Sequence, residues 1–365
     1  MMPDIGNVKI AAVQASPVFM NKDASVEKAC EFIREAGSNG AKPIVFPECF
    51  IPGYPSVWTV GWDTETAAWT KAHLLVQDNA LMIPSPDCET LCEAAKDAKA
   101  YVIIGCNELD NRPGSYSVYN SLLFLAPDGS ILGKHRKVMP TYVERLYHGI
   151  GEGTDLKVFE TGVGRIGGLI CFENHMPLIK TVMMNQGEQI HAAVWPGHWR
   201  GGTAGESMNL SCTDINKCDI TPATRDYAVD AQCFVVSANL LVTMDDIPDD
   251  FPFKKHINYV GEGQDNFVGF CCGGSHIVNP FSEFIAGPVF GEETILYADC
   301  DFDLIKAAKI QIDGMGHYQR WDIANLRPSK KKVIPFTFEN GVMEEKAAPE
   351  VGTKKGTEED ESQET

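Results

Sequence analysis

The sequence predicts a mixed α/β layered fold, on three observations. Short apolar runs of strand length alternate with longer amphipathic stretches of helix length. Some consecutive runs are joined by tight turns, so hairpins accompany the β-α units, which excludes a purely parallel doubly wound sheet. No linker-like break interrupts this pattern before about residue 340.

The elements follow in order. Val8 to Ala15 reads as a strand, Ser25 to Ala36 as a helix closed by the turn Gly37-Ser38-Asn39-Gly40, and Pro43 to Pro47 as a second strand. A helix from Thr90 to Lys99 precedes the strand Tyr101 to Ile104. Tyr119 to Ala126 then turns at Pro127-Asp128-Gly129-Ser130 into Ile131 to Lys134, a hairpin. Arg165 to Cys171 is a strand and Met176 to Asn185 a helix. His191 to Trp195 and Phe234 to Ala238 are strands separated by a helix around Thr221 to Gln232. His276 to Asn279 and Thr294 to Asp299 are expected to form a further antiparallel pair. From Glu344 onward large apolar side chains almost vanish, and eight acidic residues face three lysines. The expected organisation is therefore one domain over 1–340 and an acidic, disordered tail over 341–365.

Composition narrows the function classes. A chain of 365 residues, 44% of them hydrophobic, can bury a substantial core, and no 20–50-residue repeat marks a solenoid. The formal charge of −19 would repel phosphate backbones, so nucleic acid is not expected as a partner. No apolar run is long enough to span a bilayer, and the opening Met-Met-Pro-Asp-Ile-Gly lacks the basic flank of a secretory signal, so a cytoplasmic protein without a membrane partner is expected. The twelve cysteines then read as reduced and buried. Without a Cys-x-x-Cys pair or a His-Glu-x-x-His arrangement, no metal is expected.

Three short segments carry chemistry. Glu48 follows the strand formers Ile44-Val45-Phe46 and a proline, which puts its carboxylate at a strand's C-terminal end among Phe46, Cys49, Phe50 and Ile51. Apolar surroundings raise a carboxyl pKa, as a base working near neutrality requires. Cys171 ends the run Gly167-Gly168-Leu169-Ile170 and precedes Pro177, so its thiol lies at a strand-to-helix bend where backbone N–H groups favour thiolate character. Lys137 lies on the opposite face from Arg136 and leads into Val138-Met139, so it can point inward, with Glu144 placed to hold its ammonium. A base, a thiol and a cation together suit nucleophilic attack on an unsaturated carbon.

These segments resemble those of the nitrilase superfamily of carbon–nitrogen hydrolases, and within it the nitrilase branch. The resemblance runs from about Val8 to Asp322. It passes through Ala12-Val13-Gln14, Phe46-Pro47-Glu48, Gly53-Tyr54-Pro55, His135-Arg136-Lys137, Pro140-Thr141-x-x-Glu144-Arg145, Cys171-Phe172-Glu173-Asn174, Trp195-Pro196-Gly197 and His317-Tyr318-x-Arg320. It implies a four-layer α-β-β-α sandwich that pairs into dimers, which often extend into spirals or filaments. It implies Glu48 as general base, Lys137 as oxyanion partner, Cys171 as nucleophile and Glu144 as the fourth polar member, with no cofactor and a small nitrile as substrate.

Tyr54, Phe172, Trp195 and His198 are the candidate substrate-binding residues, with Trp199 equally suited to core packing. Glu173 is expected to point away from the nucleophile as structural support. The chain departs from the branch pattern at Phe172 and His148, where tryptophan is common, and Asn174 stands where cyanide-degrading relatives commonly have histidine. Amidase or carbamoylase activity, and cyanide hydration, remain alternatives that use the same residues. A non-catalytic scaffold would have no need of all four polar groups.

Overall fold

The computed structural model describes residues 6–55, 68–197, 219–257, 259–260, 267–329, 336–339 and 342–345. Its strands are β1 (Asn7–Gln14), β2 (Pro43–Val45), β3 (Leu81–Met82), β4 (Tyr101–Leu109), β5 (Val118–Leu125), β6 (Ile131–Arg136), β7 (Phe159–Thr161), β8 (Gly164–Ile170), β9 (Ile190–Trp195), β10 (Phe234–Asn239), β11 (Leu241–Thr243), β12 (Tyr259–Val260), β13 (Phe267–Val278), β14 (Phe284–Phe290), β15 (Thr294–Asp301), β16 (Phe336–Glu339) and β17 (Val342–Glu345). The helices are α1 (Lys22–Ser38), α2 (Ala68–Asp78), α3 (Pro86–Ala98), α4 (Pro177–Met184), α5 (Ile220–Ala231) and α6 (Asp303–Gln311).

The central strands are apolar on both faces, and this dictates layers. Val8, Ile10 and Ala12 of β1 and Leu122 and Phe124 of β5 meet Ile166, Ile170, Ala192, Val194 and Val236 of β8, β9 and β10 in one apolar cluster between two sheets. The alternate residues of the first sheet, Ala11, Val13, Leu123 and Leu125, pack with Ala29 and Ile33 of α1 and Leu91 and Ala95 of α3. Those of the second sheet, Ala193, Trp195 and Val235, pack with Met183 of α4 and Tyr227 and Ala228 of α5. The order is helices, sheet, sheet, helices: the four layers expected.

The first sheet runs β15-β1-β2-β4-β5-β6 with β3 on β4, and the second β11-β13-β10-β9-β8-β7 with β12 and β14 on β13. Because β2 parallels β4 while β5 is antiparallel to both β4 and β6, the chain leaves β2 and β6 at the same end of the sheet. Gln14 ties the sheets together, its Oε1 accepting the Ser275 N–H of β13 at 2.8 Å.

The antiparallel pair expected between His276–Asn279 and Thr294–Asp299 does not form. His276 belongs to β13, which pairs with β14, whereas β15 crosses to the first sheet and pairs with β1 from Asn7–Asp301 to Gln14–Thr294. The intervening β14 contains Gly287-Pro288, which hides a strand from a reading by propensity. Strands β16 and β17 form a separate antiparallel hairpin across the place where the composition changes.

Gly105 of β4 bears the turn that carries Glu48. A Cβ there would lie 2.2 Å from the Pro47 carbonyl oxygen and 2.7 Å from the Glu48 Cα, both backbone atoms that cannot step aside. Gly105→Ala is predicted to lower stability in urea unfolding by about 2–3 kcal/mol; an unchanged midpoint would show that the turn does not rest on this strand.

Candidate active site

Glu48 lies three residues beyond β2, Lys137 one beyond β6 and Cys171 one beyond β8, so strand ends deliver all three to one place. One carboxylate oxygen each of Glu48 and Glu144 and the Cys171 sulfur lie within 4.8 Å of one another. The Lys137 ammonium, 1% exposed, donates to Glu48 Oε1 at 2.9 Å and to Glu144 Oε1 at 2.7 Å. Both carboxylates are fully buried, and the second oxygen of each, Oε2, accepts no hydrogen bond. Tyr54 donates its hydroxyl to Glu144 Oε1 at 2.5 Å. Three donors of this kind could hold a cation, but the ammonium already lies between two of them and supplies the positive charge.

Neighbouring groups keep these atoms in register. Asn120 of β5 donates its side-chain amide to Glu48 Oε1 at 2.6 Å, while its carbonyl accepts the Lys137 N–H at 2.8 Å. Glu173, fully buried, accepts the Val138 N–H at 2.7 Å and, on its other oxygen, the Ile170 N–H and His135 Nε2, both at 2.8 Å. It thus clamps the Lys137 segment to the Cys171 segment, the structural support expected of it. Asn107 donates to the Gly53 carbonyl at 2.8 Å and meets His148 Nε2 through its own oxygen at 2.8 Å, fixing the segment that bears Tyr54.

Electrostatics divides the two carboxyls. Burial pushes Glu48 up to about 7 against the pull of Lys137, and the Glu144 charge adds to the rise. Burial opposes ionisation of Glu144 as well, yet Lys137, His148 and the Tyr54 hydroxyl hold it below the ordinary carboxylate value. Lys137 loses by burial but gains more from Cys171, Glu144 and Glu48, and stays well above its ordinary value. Burial drives the Cys171 thiol well above its ordinary value, with Lys137 and the Phe172 N–H only partly offsetting it. The pull toward thiolate expected from the bend is there in the Phe172 N–H, but burial outweighs it. The helix proper begins only at Pro177; Cys171 opens a 3₁₀ turn ending at His175.

Other predicted residues are placed as follows. Phe172 is 51% exposed, with its ring 4.9 Å from that of His175. Trp195 is buried in the helix-side cluster of the second sheet, edge-on to His175. His198 and Trp199 lie outside the described residues. Asn120 and Asn107 were not anticipated, although an amide inside an otherwise apolar strand such as Val118–Leu125 is a readable signal.

A sequence profile of carbon-nitrogen hydrolases matches residues 9–310. The chain belongs to the carbon–nitrogen hydrolase family. Within that family it is 35% identical to a bifunctional nitrilase/nitrile hydratase of Lupinus angustifolius over 91% of this chain and 88% of that one. It is 34% identical to an aliphatic nitrilase of Rhodococcus rhodochrous over 90% of this chain and 84% of that one. In three dimensions it resembles Nit3 of Saccharomyces cerevisiae, a member of branch 10 of the nitrilase superfamily, with a TM-score of 0.61 at 20% identity over 84% of this chain and 94% of that one.

A hydrolase using Glu48 as base must have it ionised, so kcat/KM is predicted to fall as pH drops below about 7. Glu144→Gln removes the negative charge that raises Glu48, so this acidic limb should move to lower pH. A limb that stays in place or moves up would contradict the coupling.

Proposed function

We propose that this carbon–nitrogen hydrolase is a nitrilase that converts an organic nitrile to its carboxylic acid and ammonia, with Glu48, Lys137, Glu144 and Cys171 as its catalytic groups. The observation that carries the reading is the convergence of a thiol, two buried carboxyls and a buried ammonium within one cluster. The nitrilase names of the relatives support the nitrile as substrate.

The steps follow from the geometry. The free Oε2 of Glu48 takes the thiol proton as the sulfur adds to the nitrile carbon. Negative charge develops on the nitrogen. Lys137 spends two of its three N–H groups on Glu48 and Glu144, leaving the third, with the Phe172 N–H, for that charge. Glu48 returns the proton to that nitrogen to give a thioimidate, then takes one from the water that adds to it and passes it to the nitrogen, so that ammonia leaves. The resulting thioester takes a second water to release the acid and restore the thiol. Glu144, held by Tyr54, keeps the ammonium in place. Phe172, Tyr54, Trp195 and His198 are proposed to bound the substrate.

The same reading includes homo-oligomers, dimers assembling into spirals or filaments; exposed Leu178 of α4 and Val229 of α5 (66% and 48%) support an interface on the helix layer. It includes a tail over 341–365 outside the catalytic domain. A reducing compartment such as the cytoplasm fits the ten described cysteines, all of them thiols. Among the described residues no helix is long and apolar enough to cross a membrane.

Ammonia release from a panel of nitriles and their matched amides, with product identification, tests the reading. Acid from nitriles is expected, and Glu48→Gln should reduce it by about 10²–10⁴. Turnover of amides without nitriles would replace nitrilase with amidase.

A further inference from the structure

A second chain of buried polar groups starts behind the nucleophile and plays no part in the steps above. Cys171 sits at φ 53°, left-handed backbone that a residue with a Cβ adopts only when its surroundings hold it there. Those surroundings are specific. Asn174 donates its amide to the Cys171 carbonyl at 3.0 Å and to the Leu169 carbonyl at 3.3 Å, gripping the chain on both sides of the bend. With its nitrogen so used, Asn174 presents its oxygen to His191 Nε2 at 2.8 Å, so that ring nitrogen carries the donated hydrogen.

The other face of His191 is fixed in turn. Its Nδ1 lies 3.0 and 3.2 Å from the two oxygens of Glu188, and the Tyr227 hydroxyl donates to the same carboxylate. The imidazole stacks on the Tyr227 ring, centroids 3.7 Å apart. Asn174, His191, Glu188 and Tyr227 are each at most 1% exposed. Gly167 of β8 leaves the Glu188 carboxylate its place: a Cβ there would fall 1.8 Å from Glu188 Oε1.

We propose that His191, held by Glu188 and Tyr227, is a positioning residue that acts through Asn174 to lock Cys171 in its left-handed conformation and so aim its sulfur at Glu48 and Lys137. The bonds that these four make run to one another and to the backbone around Cys171. The proposal rests on reading Cys171 as the nucleophile but not on the substrate being a nitrile.

The test is the rate at which iodoacetamide alkylates Cys171, followed on the Cys171 peptide by mass spectrometry, beside steady-state kinetics in the full chain. His191→Phe keeps the stack on Tyr227 and loses the donor. Alkylation and kcat should fall together by about 10–100-fold, with KM within about twofold. His191→Gln, whose amide can still donate to Asn174, should keep both rates within about threefold of the native protein. A folded His191→Phe protein with native alkylation and kcat overturns the proposal. If that variant does not fold, Asn174→Asp decides: it retains the acceptor for His191 and removes the amide donor, so a native alkylation rate overturns the proposal and a comparable loss supports it. Alkylation needs no nitrile, so failure of every nitrile to turn over would sink the substrate reading and leave this result standing.

Discussion

One buried ammonium organises the site. Lys137 is stable there only because Glu48 and Glu144 each give it an oxygen, and removing either side of such a pair typically costs about 3–5 kcal/mol. Two carboxylates sharing one cation cannot both ionise freely. Glu144, helped by Tyr54, keeps its charge, while Glu48 is left near 7, able to accept and return a proton. The same burial that raises Glu48 raises the Cys171 thiol, and in the proposed reaction the carboxylate takes that proton as sulfur attacks carbon. The roles proposed for acid, base and nucleophile are consequences of where a single positive charge is buried.

The fold makes that burial possible by ending parallel strands at one rim. Strands β2 and β6 in the first sheet and β8 in the second each stop within three residues of one of the clustered side chains. The two sheets contribute different partners, the carboxylates and ammonium from one and the thiol from the other. Glu173 is the tie across that division, since it bonds both the segment after Lys137 and the strand before Cys171. Asn120 does the same work within the first sheet, holding Glu48 by its side chain and Lys137 by its backbone.

Much of this was legible in the sequence, and for physical reasons. Strand runs such as Val8 to Ala15 are apolar on both faces because both faces are covered, and the turn Pro127-Asp128-Gly129-Ser130 admits little but a hairpin. The convergence of Glu48, Lys137, Glu144 and Cys171 was inferred from their apolar settings and from the family resemblance. What was not legible depends on distance in three dimensions. The partner of β15 is β1, nearly three hundred residues earlier, and local propensity carries no record of it. The bend at Cys171 advertises nearby N–H donors but not how thoroughly the thiol is buried, and burial is the larger effect. His191 and Glu188 are ordinary polar residues in sequence; only their shared burial with Asn174 behind Cys171 gives them a meaning.

The central claim is that Glu48 and Lys137 make Cys171, alone among the thiols, the site of covalent attack. Rapid acid quench during nitrile turnover, followed by mass spectrometry of the peptides, tests it most directly. The account predicts a substrate-derived adduct on Cys171 in the native protein and none in Glu48→Gln; an adduct on a different cysteine, or turnover at the native rate in Cys171→Ala, would contradict it.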